Sequence, residues 1–460
     1  MRLAFLIVTL VVLIIASIRR PFIGLLAMIA ALQIEYFFMG LLPRGITLGR
    51  IAGLCAMIGW LMNRRKYRSS PMLVYPPLAV PSILFVFVLL TGALFAKDSG
   101  SAMMMAIRVV MLVLLGIMMG EMVCTRRDFI ALCWVVVLSS AVGAGAALMQ
   151  FGAYQEGGEV IGNVYNARLG VRFEGLTTSA NGLGIQLLSG IPFLFFLFFT
   201  SRRGWVRLLC IGMLGMSAFV LVLTVSRSTL YPVAAYIAVS YVLHRKMGKH
   251  LIAENIMVSF GVLMLALALV QSSSYVWDRI TRPITDLDSD TSFEGRMEIM
   301  HQGVKVMNLS PLFGVGLSNT RQYFLQKDAH DTISALVGET GLLGTLFFFL
   351  FCVAVVPRQI GLLKRACRTG DPYLQELAVS LLGIACILVV WLPVKVVFYQ
   401  RLFWLWAGFV LWLDSRLPPA GARHPGVVNR GRVAGMPAAV GFPKIVGGGF
   451  GPQRRGSGHA

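Results

Sequence analysis

The sequence has little charge, and acidic residues are the scarcer of the two signs. Only 13% of its 460 residues are charged, with 20 Asp and Glu against 41 Lys and Arg, whereas 57% are apolar. A soluble domain has about 25% charged and about 45–50% apolar residues, so the apolar excess is too large for one core. At roughly 20 residues per bilayer crossing, the apolar segments suffice for about a dozen helices. The composition excludes a soluble globular protein and predicts an integral membrane protein.

Several signatures of catalytic and cofactor sites are absent as well. No Cys and His residues stand at zinc-binding spacing, and neither a Walker sequence nor a G-x-S-x-G motif occurs. These absences predict no zinc site and no use of ATP, and no cofactor is expected. Disulfides are not expected either, because every cysteine falls in an apolar run or in a loop of the cytoplasmic set defined below. The cysteines are Cys55, Cys124, Cys133, Cys210, Cys352, Cys367 and Cys386.

Thirteen apolar runs are candidates for membrane-spanning helices. The first two can also be taken together as a partial hairpin, so twelve and thirteen crossings agree equally well with the sequence. The predicted fold class is all-α, a polytopic bundle of about 12–13 transmembrane helices. The runs are 3–18, 22–42, 46–62, 73–95, 102–120, 129–150, 182–200, 208–224, 229–243, 255–270, 332–356, 374–393 and 402–413.

Basic residues alternate between the loops, and this alternation predicts the orientation. One set of loops holds sixteen Lys and Arg, whereas the short loops between them hold four. By the positive-inside rule the first set is cytoplasmic. Two long polar loops, 151–181 and 271–331, then face outward, and the tail faces the cytoplasm. Most of the net charge of +21 therefore concerns topology and contact with inner-leaflet lipids, and nucleic acid is not an expected partner.

These assignments divide the chain into six regions. Transmembrane helices occupy the N-terminal, central and C-terminal regions, and the two outward loops separate them. The basic tail, rich in Gly and Pro and lacking acid from Ser415 onward, is expected to be disordered. In chain order the regions are 1–150, 151–181, 182–270, 271–331, 332–413 and 414–460.

The loop 271–331 is far longer than a connection between helices requires. Thr291 and Glu294 form a capping-box pattern. The apolar residues Met297, Met300, Val304 and Met307 then recur at helical spacing. This pattern predicts an amphipathic helix that lies on the membrane surface, with Arg296 in its first turn.

Two arginines and one histidine face outward without a role in topology. Arg227 lies in the turn Ser226-Arg227-Ser228, and Arg296 lies near a helix start, where a cation is unfavourable. Guanidinium groups can bind the phosphate of a lipid headgroup. The alternative is that both are interfacial arginines whose side chains extend to water. His330 precedes an apolar run and is a candidate general base that takes the proton of a hydroxyl group, because imidazole titrates near neutral pH. The alternative is a water-facing histidine near a helix cap.

Two later features have simpler interpretations. Gly314-Val315-Gly316 lacks the strand and helix of a dinucleotide-binding fold, and this favours an ordinary turn. Glu339 follows His330 by nine residues, which is about half a turn round a straight helix. We therefore expect that Glu339 does not orient the imidazole directly.

Four outward segments resemble, in order and spacing, the signature of the O-antigen ligase and polysaccharide polymerase superfamily. They are Gly295-Arg296, Ser310-Pro311-Leu312-Phe313-Gly314-Val315-Gly316, Ala329-His330-Asp331 and Gly338-Glu339-Thr340-Gly341-Leu342-Leu343-Gly344. Upstream, Arg172 to Gly175, Asn181 and Ser226-Arg227 resemble further motifs of that family. Asp331 stands where the family more often has Asn.

The resemblance implies a glycosyltransferase of the bacterial inner membrane with a GT-C-like fold and a periplasmic site. The enzyme would transfer a glycan from undecaprenyl pyrophosphate to an acceptor hydroxyl without a metal. In these roles Arg227 and Arg296 bind the departing pyrophosphate and His330 is the general base. Further phosphate or sugar contacts would come from Arg172, Arg279, Arg282 and Arg321.

Several partners and functions remain open at this point. The acceptor can be the lipid A core, the next lipid-linked repeat or a protein hydroxyl, and a chain-length regulator can be a further partner besides membrane lipids. A transporter or flippase of lipid-linked oligosaccharide is the alternative function, and a structural scaffold is a third. Polar residues gather in outward loops rather than along a central cavity, with Glu35 and Arg108 in apolar runs as the main exceptions, and this favours the transferase.

Overall fold

The structure is a computed structural model, and it describes most of the helical bundle. For some residues, among them Arg172 and Arg227, the backbone alone is described. The described residues are 2–34, 47–67, 71–155, 164–167, 170–177, 179–224, 226–247, 260, 298, 301–303, 305–323, 329, 331–369 and 371–417. The predicted capping box at Thr291 and Glu294, the apolar run 255–270 apart from Phe260, and the tail from residue 418 onward lie outside these ranges.

The described residues form a bundle of α-helices, which confirms the predicted all-α polytopic fold. The helices before the first long loop are α1 (Arg2–Arg19), α2 (Pro21–Ile34), α3 (Leu48–Asn63), α4 (Pro71–Val74), α5 (Pro76–Leu94), α6 (Ser99–Met122) and α7 (Arg126–Gln155). Those that follow are α8 (Ala180–Thr200), α9 (Gly204–Thr224), α10 (Arg227–Lys246), α11 (Thr332–Ser334), α12 (Thr340–Thr369), α13 (Pro372–Trp391) and α14 (Arg401–Arg416). A π-helical turn, Ala335–Glu339, joins α11 to α12.

Seven helical segments among the described residues are long and apolar enough to cross a membrane. They are α5, α6, α7, α8, α9, the continuous segment Thr332–Thr369, and α13. The other predicted runs are not among the seven, and one of them, 255–270, is described only at Phe260. The number of twelve or thirteen crossings stays a prediction.

Several helices begin two or three residues before the apolar runs that predicted them, because polar capping residues precede those runs. The Asp98 carboxylate accepts a hydrogen bond from the Ser101 N–H (3.0 Å), so α6 begins at Ser99. Ser179 likewise caps α8 through the Gly182 N–H at 3.0 Å. A capping side chain satisfies a donor that the first turn leaves free. The cap and the first turn are therefore polar, and hydrophobicity alone detects a helix two or three residues late.

A short β-hairpin lies in the loop between α7 and α8. Strands β1 (Val164–Ala167) and β2 (Gly170–Phe173) pair antiparallel, with Tyr165 opposite Arg172. The end of the hairpin is tied to α7, because the Gln150 amide accepts from the Gly175 N–H (2.9 Å) and donates to the Gly175 carbonyl (3.1 Å). This hairpin is an addition to the predicted helical architecture.

The last helix, α14, lies at the centre of the bundle. It packs against α6, α12 and α13, and all its residues from Leu402 to Leu413 are buried. Aromatic side chains mediate this packing: the Trp412 ring stacks on Phe129 of α7 (centroids 5.2 Å apart), and Phe409 meets Phe193 of α8 at 5.5 Å. The shortest predicted run is thus a central helix of the fold.

Candidate functional site

The structure describes the surroundings of the predicted site rather than its central side chains. Arg227 is the first residue of α10, and Arg172 lies on β2, in both cases with the backbone alone described. Arg321 is described in full. The other predicted site residues lie outside the described ranges: Arg279, Arg282, Arg296 and His330. The chemical roles of all seven residues stay predictions.

The turn that carries Arg227 is held from both sides. The Ser226 hydroxyl donates to the Asn181 side-chain oxygen in the first turn of α8 (2.7 Å) and lies 3.0 Å from the Ser228 hydroxyl. The Trp391 indole N–H, at the end of α13, donates to the Ser228 carbonyl (2.8 Å). Two of the sequence motifs, Asn181 and Ser226-Arg227, are therefore in direct contact.

The residues on either side of His330 are also anchored. The Ala329 N–H donates to the Thr320 hydroxyl at 3.3 Å. Asp331 is buried and caps α11, because its carboxylate accepts from the N–H (2.8 Å) and the hydroxyl (2.6 Å) of Ser334. A carboxylate and an amide oxygen can both fill such a cap, so Asp331 suits a position where the family more often has Asn.

The Arg227 turn and the start of α11 meet at the end of α13. Trp391 bonds to Ser228, and the carbonyl of the next residue, Leu392, accepts from the Thr332 N–H (3.0 Å). We call this part of the bundle, with residues 226–228, 329, 331–332 and 391–400, the motif end. The role of segment 391–400 was not predicted, because its few charges indicated only a short outward loop.

Two motif segments pack backbone to backbone at the motif end, and together we call them the glycine clasp, residues 311–316 and 338–343. The N–H groups of Val315 and Gly316 donate to residues 338 and 339 (3.0 and 3.1 Å), and those of Leu342 and Leu343 donate to residues 311 and 312 (2.8 and 3.1 Å). These bonds give residues 314–316 a backbone partner that the sequence did not indicate, and their interpretation as an ordinary turn stays a prediction.

Two residues of the glycine clasp, Gly314 and Gly341, require glycine. Both have positive φ angles, +70° and +66°, a region that residues with a Cβ atom rarely adopt. A Cβ atom at Gly314 would lie 2.3 Å from the Glu339 carbonyl carbon, and one at Gly341 would lie 2.5 Å from the Gly314 nitrogen. The glycines of the two motifs therefore allow a close approach between two backbones.

Glu339 is a buried acid between the glycine clasp and segment 391–400. Its carboxylate accepts from the Thr320 hydroxyl (3.1 Å) and the Tyr399 hydroxyl (2.5 Å). The π-helical turn that ends at Glu339 departs from the straight helix assumed for its angle to His330, and the expected lack of direct contact between these two residues stays a prediction. Thr320 and Tyr399 were missed because they lie 19 and 60 positions from Glu339, outside any local pattern.

Arg321 is tied to the start of α6. Its guanidinium donates to the Ser101 hydroxyl (3.2 Å) and lies 3.9 Å from the Asp98 carboxylate, with both charged side chains about two-fifths exposed. Asn319 fixes the same corner, since its buried amide bonds to the N–H and the carbonyl of Asp98 (2.9 and 3.2 Å). An exposed ion pair adds at most about 1 kcal/mol, so Arg321 retains the freedom to contact a sugar or phosphate.

Two comparisons with known proteins bear on this site. A family model described as O-antigen ligase matches residues 211–349, which include the Arg227 turn, the loop with Arg296 and His330, and the glycine clasp. The match confirms the predicted resemblance over these residues. No curated protein sequence matches the chain. Among the described residues, no group of three or more His, Cys, Asp or Glu side chains is placed to hold a metal ion.

Proposed function

We propose that the protein transfers a glycan from undecaprenyl pyrophosphate to an acceptor hydroxyl, because residues 211–349 match a family model described as O-antigen ligase. The reaction would take place at the periplasmic face of the bacterial inner membrane, in the synthesis of a cell-surface polysaccharide. The observation that carries this proposal is the junction at the end of α13. There Trp391 holds the Arg227 turn and Leu392 holds the helix start that follows His330.

In the proposed reaction, each charged group has one task. The neutral His330 imidazole takes the proton of the acceptor hydroxyl, and the oxygen attacks the anomeric carbon of the glycan. The bond between that carbon and the pyrophosphate oxygen breaks, and undecaprenyl pyrophosphate leaves with the electron pair. Arg227 and Arg296 stabilise the negative charge that develops on this leaving group, a task that divalent cations perform in other enzymes.

None of these residues identifies the class of acceptor. A ligase, a polymerase and a protein O-glycosylating enzyme need the same base and the same leaving-group contacts. The product identifies the acceptor: glycan on lipid A core, longer lipid-linked glycan, or glycan on a protein.

Complementation tests the catalytic assignment. In a strain from which the native gene is deleted, we expect His330→Ala and Arg296→Ala, produced at the normal level, to make no surface polysaccharide on a gel. His301→Ala is the matched control, because His301 is exposed on a helical stretch of the same family region, and it should complement fully. Full-length polysaccharide from the His330 variant would contradict the proposal.

Reconstitution separates the transferase from a transporter. Liposomes that hold the protein and the glycolipid extract of the deletion strain should form new glycosidic bonds. Movement of the glycolipid across the bilayer without bond formation would favour a flippase instead.

A further inference from the structure

Glu339 is buried at the motif end, with only 2% of its surface exposed. An ionised carboxylate in such a place needs hydrogen-bond donors, because burial removes its hydration. Two hydroxyl groups supply them from distant parts of the chain. Thr320 lies in the 3₁₀ turn Thr320–Gln322 and Tyr399 in the turn Val397–Tyr399. Glu339 therefore joins two loops that flank the start of α11.

The first arm of this arrangement leads to Ala329. A threonine hydroxyl has one proton, and that of Thr320 points to the Glu339 carboxylate. An oxygen lone pair is then free to accept from the Ala329 N–H, 3.3 Å away. The carboxylate thus determines which side of the Thr320 hydroxyl faces the residue immediately before His330.

The second arm leads to Thr332. The segment that carries Tyr399 also bonds to the start of α11, because the Thr332 hydroxyl donates to the Lys395 carbonyl (2.6 Å) and accepts from the Val397 N–H (3.1 Å). Tyr399 fixes this segment to Glu339 at its other end. The chain is consequently held on both sides of residue 330, with Glu339 at the point where the two arms meet.

From this geometry we infer that Glu339 is the positioning residue for the general base, acting through Thr320 on one side of His330 and through Tyr399 on the other. The inference rests on the proposed function, because only there is His330 a base. Glu339 takes no chemical step in the proposed reaction. It orders the backbone so that the imidazole is placed against the acceptor hydroxyl, and misplacement of a catalytic group by about 1 Å can lower the rate by about 100-fold.

Steady-state kinetics of variants that lack one hydroxyl group test the inference. The assay uses purified protein in liposomes with the glycolipid extract of the deletion strain, and rates are expressed per amount of monodisperse protein. Thr320→Val and Tyr399→Phe should lower kcat by roughly 10- to 100-fold and leave KM for the glycolipid within about twofold. Thr320→Ser, which keeps the hydroxyl, should restore most of kcat.

Two control variants remove hydroxyl groups nearby. Thr345→Val deletes a hydroxyl that donates to the Gly341 carbonyl one turn back on α12. Tyr323→Phe keeps the ring that lies 5.6 Å from the Lys97 ammonium. Both should show wild-type kcat. In a protein that already carries Glu339→Gln, Thr320→Val should lower kcat little further, because the carboxylate and the hydroxyl act together.

Three results would overturn the inference. They are wild-type kcat in Thr320→Val and Tyr399→Phe, an effect on KM alone, or reductions in kcat that multiply when Thr320→Val and Glu339→Gln are combined. If Glu339→Gln does not fold, the two hydroxyl variants alone decide the question. His330→Ala separates this test from that of the proposed function. An active His330 variant refutes the catalytic assignment itself, whereas an inactive one with normal Thr320 and Tyr399 variants refutes only the positioning role.

Discussion

At the scale of single residues, a buried pair joins α10 to α13 at the end opposite the motif end. The His244 Nδ1 lies 2.7 Å from the Ser240 carbonyl, and its Nε2 lies 2.8 Å from the Glu376 carboxylate. A carbonyl oxygen only accepts, so Nδ1 donates to Ser240, and Nε2 is the ring nitrogen that meets the acid. Each ring nitrogen thus has a partner, and the histidine and the acid are buried together in the bundle.

Separating this pair should destabilise the protein. His244→Phe leaves Glu376 buried beside an apolar ring, and the loss of one partner of a buried pair costs about 3–5 kcal/mol. We expect a clear fall in the unfolding temperature in detergent. The double variant His244→Phe/Glu376→Leu should recover much of that stability, because it removes both polar partners. Equal unfolding temperatures for the single variant and the wild type would show that the pair is not a stabilising contact.

At the scale of elements, the glycine clasp fixes where the long loop rejoins the bundle. Its hydrogen bonds run between backbones, so the contact depends on side chains mainly through the space that glycine leaves. The backbone of Gly341, at φ 66° and ψ −168°, is in a region that is essentially confined to glycine. The sequence signature thus encodes a backbone contact more than a set of reacting groups.

Gly341→Ala should disrupt the glycine clasp. The strained backbone costs roughly 1–3 kcal/mol, and the added Cβ atom would also clash with residues 312 and 314. We expect a lower unfolding temperature and a loss of polysaccharide synthesis. Gly361→Ala on the same helix is the control, since nothing lies within 4 Å of its Cβ position, and alanine there should be neutral or slightly stabilising. Similar behaviour of the two variants would argue against the contact.

At the scale of the whole molecule, cations gather at the end of the bundle opposite the motif end. Arg358 and Arg365 of α12 share the Asp414 carboxylate of α14, the former at 3.4 Å. Cys367 is exposed on the last turn of α12, and Cys124 lies between α6 and α7. The positive-inside rule predicts that this end faces the cytoplasm, and chemical labelling tests that prediction.

A membrane-impermeant maleimide should reach Cys367 only from the cytoplasm. In a protein with Cys367 as its single cysteine, we expect labelling in inside-out vesicles and none in spheroplasts. A protein with Cys124 alone should react more slowly in the same vesicles. Burial raises the pKa of the Cys124 thiol, against the opposing effect of Arg416, so its reactive thiolate is scarce at neutral pH and increases as the pH rises. Labelling of Cys367 in spheroplasts would reverse the orientation.

The apolar runs predicted the positions of the helices but not their packing. Runs such as 102–120 and 182–200 lie inside α6 and α8, because a 20-residue apolar segment has few alternatives to a buried helix. The central place of α14 could not be predicted, since hydropathy ranks a helix by its composition and not by its neighbours. The hairpin β1–β2 was missed for a related reason, because two strands of four residues carry no measurable periodicity.

The candidate site was predictable as motifs and not as contacts. Gly314 and Gly341 are visible in the sequence because they recur at family spacing, and their pairing follows only from the fold. Tyr399 had no such signal: it is one aromatic residue in an aromatic segment, and its bond to Glu339 spans 60 positions. Contacts of this length depend on how whole helices pack, and local patterns do not record that.

The central position of α14 has a consequence for how the protein is made. A ribosome synthesises residues 391–416 after nearly every other part of the bundle, yet this stretch supplies both the helix between α6 and α12 and the Tyr399 contact to Glu339. The helices made before it lack their contacts with α14 until residues 401–416 are inserted. A nascent chain therefore has no complete motif end, and it acquires one only when its last helix is inserted.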